Sequence, residues 1–124
     1  VRELVVLRVA VHRRCDYEWA QHVPVALSVG ITEDEIGQVV AGPDAPGWSD
    51  VDAATVRAVD ELHHDGVIGP DTWRVLVTAF DEKQLMDLLF TVGAYDTLAL
   101  AFNTFGLELD PEIADYRLSR WGVT

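Results

Sequence analysis

Between Arg2 and His12 the chain carries Leu4, Val5, Val6, Leu7, Val9, Ala10 and Val11, which leaves almost no polar face. Such a run suits a helix buried on most sides, with a buried strand as the competing reading. Asp16 then stands as the N-cap of a second helix running to about Val29, with Gly30 where a left-handed terminating residue would sit. Pro24 removes one backbone donor inside that segment and is expected to kink it. The stretch TEDE, Thr32 to Glu35, has capping-box spacing and predicts a short third helix over Glu33 to about Ala41. GPDAPGWS reads as a loop on its proline and glycine content, and is the one candidate linker. Val56, Val59 and Leu62 give helical spacing to a fourth element, Val51 to Asp65, that ends at Gly66; Gly69 and Pro70 open a fifth, through Phe80. From Asp81 onward Leu85, Leu88, Leu89, Val92, Ala99 and Phe102 recur at three and four, and Gly106 closes this longest helix.

The pattern predicts an all-α protein of about six helices, with no convincing strand, coiled-coil heptad or internal repeat. A length of 124 residues suits a single domain over residues 1–124. The last helix is oily on nearly every side, so it is expected to be buried both in the core and in a homo-oligomer interface. The apolar run begins at once at Val1, which reads as a start inside a longer chain.

Charge narrows the partners. Twenty-one acids against nine bases give a formal net charge of -12, which repels phosphate backbones and argues against nucleic acid. The first thirty residues differ, with Arg2, Arg8, Arg13 and Arg14 against three acids. A small anionic organic substrate would find its positive charge there, although the same arginines could equally pair with acids on neighbouring helices. One cysteine excludes an intrachain disulfide framework and fits a reducing, cytoplasmic setting. The Leu85–Phe105 run is interrupted by Asp87, Asp96 and Asn103, which argues against a membrane span.

Candidate chemistry lies in CDYEWAQH, Cys15 to His22. At about 100° per residue, positions 15, 18 and 22 fall within roughly a 60° arc of one helix. Helix-terminal amides with Arg13 and Arg14 would lower the Cys15 pKa, and Glu18 would raise it. Glu18 lies four residues before His22, close enough to orient an imidazole for acid/base work, though such pairs are also common on plain surface helices. No metal is expected: HExxH is absent, and further ligands would have to come from His12, His63 or His64. Tyr17 and Trp19 lie off the stripe, where aromatics serve as core or interface anchors.

The stretch YEWAQHVPVALSVGITEDEI resembles the motif region of the carboxymuconolactone decarboxylase family, relatives of the alkylhydroperoxidase D-like proteins, and the similarity continues through DELHHDGVIGPDTW and LLFTVGAYDTLALAFNTFG. In the redox branch of that family the pattern is E-x11-C-x2-C-x3-H. Glu3, Cys15 and His22 match it, and Glu18 stands where the second cysteine would be. The chain therefore resembles the non-redox ExWxxH type, which includes the decarboxylase. The resemblance implies a helical, trimeric or hexameric assembly, a preceding N-terminal helical arm, and a lyase that needs no cofactor and acts on small carboxylated lactones of aromatic catabolism. In that reading His22 delivers a proton, Glu18 or Glu3 sets its tautomer, Arg8 or Arg13 holds a carboxylate, and Trp19 helps exclude water. The alternatives are a thiol-dependent peroxidase using Cys15 with an external resolving thiol, and a helical interaction module without chemistry.

Overall fold

The computed structural model describes residues 1–124. Six α-helices run in order, α1 Arg2–Arg13, α2 Asp16–Ser28, α3 Glu33–Ala41, α4 Asp50–Asp65, α5 Pro70–Ala79 and α6 Glu82–Phe105, followed by two 3₁₀ turns at Pro111–Tyr116 and Leu118–Trp121. There are no strands.

The oily character of α1 follows from its place at the centre. One side, through Leu4, Leu7 and Ala10, packs with Trp19, Val23, Ile36 and Val39 of α2 and α3. The other, through Val5 and Val9, packs with Ala58, Val59, Leu76, Leu85 and Leu88 of α4, α5 and α6. A helix shared by two cores has no face left for water, so periodicity alone could not orient it.

Local signals set the boundaries. Both reciprocal bonds of the Thr32–Glu35 capping box form, and Asp81 with Gln84 makes a second box at the start of α6. Gly66 and Gly106 close α4 and α6 in the left-handed region. The expectation for α2 needs correction: its N-cap is Cys15, and the Asp16 carboxylate instead accepts from the Leu118 amide at 2.8 Å. That bond docks the C-terminal turns, which the sequence reading did not foresee, onto the start of α2. The helix then runs on through Pro24 to Ser28.

The long C-terminal helix expected is present, and the chain's own core covers one edge of it. Within the chain only Leu85, Leu88 and Ala99 of α6 are buried, while Met86, Phe90, Leu98, Leu100 and Phe105 stand exposed. The helix is long and apolar enough to cross a membrane by length and composition. Its buried edge nonetheless packs on α1, and its Asp96 pairs with Arg13 of that helix.

Candidate active site

The turn between α1 and α2 builds the site. Arg14 takes a left-handed conformation, φ 48° and ψ 44°, and the Cys15 amide reaches back to the Ala10 carbonyl at 3.0 Å. This closes a tight helical hairpin in which the start of α1 faces the middle of α2. Glu3 and His22 thereby meet: Nδ1 of His22 lies 2.9 Å from Oε2 of Glu3, and both side chains are mostly buried. With Glu3 accepting from Nδ1, the other ring nitrogen of His22 is left to exchange a proton with a ligand. The expected pairing of Glu18 with His22 is not what forms; the partner of His22 comes from α1.

Glu18 occupies a different environment. It is 1% exposed, and neither carboxyl oxygen has a hydrogen-bond partner. Burial, reinforced by the negative charge of Asp96, pushes its pKa up to about 8. An acid in such surroundings keeps its proton at neutral pH. Cys15 is fully buried. Burial raises its thiol pKa, and the opposing pull of the Glu18 and Tyr17 amides does not prevent it. That makes it a poor source of thiolate.

Helix α6 supplies neighbours that the sequence reading missed. The Tyr95 ring stands edge-on to His22 at 5.2 Å between centroids, and its hydroxyl accepts from Nη2 of Arg2 at 2.6 Å. Tyr95 and Arg2 line a cavity of about 610 Å³ whose walls include Val5, Phe80, Leu88 and Phe90; Glu3, Glu18 and His22 are not in its walls, and Tyr95 is the link between His22 and the cavity. The only sequence signal for Tyr95 was its place on the long helix, and nothing there tied it to His22.

The remaining expected site residues lie elsewhere. Arg8 does not reach the cavity: Nε and Nη2 bind Asp60 at 2.7 and 3.0 Å, and Nη1 binds the Val39 and Val40 carbonyls. Arg8 thus ties α1 to α3 and α4 rather than waiting for a substrate carboxylate. Arg13 pairs with Asp96 through Nε at 2.5 Å and Nη2 at 2.8 Å. Trp19 is a core residue, packed beside Leu7 and Ile36 and edge-on to Trp121 at 5.4 Å; it walls the hydrophobic core rather than the cavity. Tyr17 packs against Phe102 of α6. No cluster of His, Cys, Asp and Glu has the geometry of a metal site.

The model of the carboxymuconolactone decarboxylase family matches residues 1–61, which span α1 through most of α4 and contain Glu3, Cys15, Glu18 and His22. No curated protein sequence matches the chain. Among solved structures, the chain is similar to a protein of unknown function from Agrobacterium tumefaciens, suggested to be the antioxidant defence protein AhpD. The TM-score is 0.77 at 20% identity, covering 88% of this chain and 76% of that one. Residues 1–61 thus resemble the carboxymuconolactone decarboxylase family, and the chain shares the fold of that AhpD-like structure.

Proposed function

We propose that the protein is a cofactor-free lyase that acts by general acid/base chemistry on a small carboxylated lactone or related organic acid. The observation that carries this reading is the contrast between two carboxyl groups: Glu3 orients His22 at 2.9 Å, while Glu18 on the same helix as His22 is buried, unpartnered and protonated at neutral pH. A carboxyl held neutral by burial can serve as a general acid, while a carboxyl hydrogen-bonded to an imidazole orients it. In the reaction the bond from the lactone to its carboxylate breaks and carbon dioxide leaves. The released electron pair delocalises toward the ring carbonyl, and a proton from His22 or Glu18 quenches it. Arg2 is placed at the cavity to hold the anionic group, and Phe80, Leu88 and Phe90 offer an apolar wall for the rest.

The family also supports thiol-dependent peroxide chemistry as an alternative, but the buried Cys15 with its raised pKa favours acid/base work here. We further propose a homo-oligomer, trimer or hexamer, closed by the apolar face of α6, where Phe90 is 71% and Phe105 80% exposed. Both proposals are testable. A panel of carboxylated lactones followed by ultraviolet absorbance and carbon dioxide release should give turnover without added thiol. A panel that is inert, while hydroperoxide is consumed with dithiol present, would overturn the lyase reading. Sedimentation of the wild type should show an oligomer that Phe90→Glu dissociates; a monomeric wild type would contradict the assembly.

A further inference from the structure

A second group of polar side chains lies away from Glu3 and His22, where α1, α4 and α6 meet. His12 lies 2.6 Å from Asp60 through Nε2, and Asp60 is clamped by Arg8. The ring of His12 stacks on His63 at 4.3 Å, and His64 stands edge-on to both. His12, His63, Arg13 and Asp96 line a cavity of about 270 Å³, whose other wall is apolar and includes Val9, Leu62, Leu89 and Val92. Arg13 gives Nε and Nη2 to Asp96 and has no protein acceptor for Nη1.

Two features show that core packing does not explain this cluster. Stacked imidazoles oppose each other's protonation, and the Asp60 carboxylate of α4 takes both an arginine and a histidine from α1, where apolar side chains would fill the space more simply. Gly93 also lines the cavity in the interior of α6. A Cβ added there would meet nothing within 4 Å, so no neighbour in the fold requires the glycine, although glycine is unfavourable in a helix. Its effect is to leave the cavity open.

We propose that this cavity is a second ligand site, for a small carboxylic acid whose carboxylate is held by Arg13, His12 and His63 and whose hydrocarbon part lies on the apolar wall. The volume suits a ligand smaller than drug size. The surroundings of His63 are His12 and Arg13 from α1, His64 from α4 and Asp96 from α6; partial desolvation, then His12, Arg13 and His64, lower its pKa, against the pull of Asp96. A carboxylate arriving beside it stabilises the charged ring, so binding takes up a proton and tightens as pH falls through the titration of His63.

The test is an NMR titration of the histidine-labelled full chain with benzoate, a small aromatic carboxylate. Saturable shifts at His12 and His63 are expected, with a raised His63 titration midpoint in the complex. Gly93→Leu, which fills the cavity with a better helix former, and His63→Gln should each weaken binding at least about tenfold. His22→Gln should bind benzoate as the wild type does, so this site stands or falls separately from the proposed lyase. Shifts confined to His22, no saturation, or wild-type affinity in both Gly93→Leu and His63→Gln would overturn the proposal.

Discussion

Glu18 sets up a direct conflict between stability and chemistry, and its substitution by glutamine measures it. The residue is 1% exposed with both oxygens unpartnered, and its pKa moves from an ordinary 4.5 to about 8 on folding. Below about pH 4.5 both folded and unfolded chains hold the proton, and Glu18 contributes no pH dependence. Between the two values the fold retains a proton that the unfolded chain has released, so raising the pH favours unfolding. Each pH unit in that window withdraws on the order of 1.4 kcal/mol, which amounts to roughly 3 kcal/mol by pH 7 and about 5 kcal/mol across the window. Glu18→Gln keeps the shape and cannot ionise. Urea unfolding of the two proteins should therefore give similar stabilities near about pH 5, and a variant more stable by several kcal/mol near about pH 8. Every other titratable group is common to both proteins and cancels in the difference. In the same variant, turnover should fall if Glu18 donates a proton. A wild-type minus variant difference that stays constant from about pH 5 to about pH 8 would refute the buried, protonated carboxyl.

Three further outcomes follow from other parts of the fold. Arg8→Met should cost about 2 kcal/mol in urea unfolding, because it leaves the mostly buried Asp60 with only His12 as partner, and it should leave KM for an anionic substrate unchanged. Burial raises the Asp60 pKa, but His12 and Arg8 outweigh it and hold the carboxyl near about 2; its stabilising pairing should be lost as pH falls from about 4 toward 2, and acid unfolding of Arg8→Met should show that component reduced to what His12 alone sustains. Cys15 should resist alkylation in the native chain and react quickly in denaturant, since it is fully buried with a raised pKa; fast stoichiometric labelling of native protein would count against this. Gly93→Ala should stabilise the fold by up to about 1 kcal/mol and raise Tm by a few degrees, read by calorimetry.

The sequence carried the six helices because their signals are local: capping boxes at Thr32 and Asp81, and left-handed glycines at Gly66 and Gly106. It could not carry the C-terminal turns, whose docking depends on a bond from Leu118 to Asp16 across most of the chain. At the site, the spacing put Cys15, Glu18 and His22 on one edge of α2 and the family pattern pointed to Glu3. Which acid serves His22 was decided by the α1–α2 hairpin, through the left-handed Arg14. Helical spacing favoured Glu18, because it says nothing about what a neighbouring helix offers. The arginines stayed open between a ligand and neighbouring acids for a related reason. A cluster of positive charge in the sequence looks available for a ligand, and only tertiary packing shows that Asp60 and Asp96 have taken Arg8 and Arg13. Tyr95 and Arg2 met through α1 crossing α6, a contact with no local signature.

The account rests on chemistry by imidazole and carboxyl rather than by sulfur, and paired variants assayed on one substrate that the full-length protein turns over address it most directly. His22→Gln should lose most of kcat, and Cys15→Ser should retain it, with no requirement for added thiol. Loss of turnover in Cys15→Ser with activity kept in His22→Gln would contradict the account and return the site to thiol chemistry.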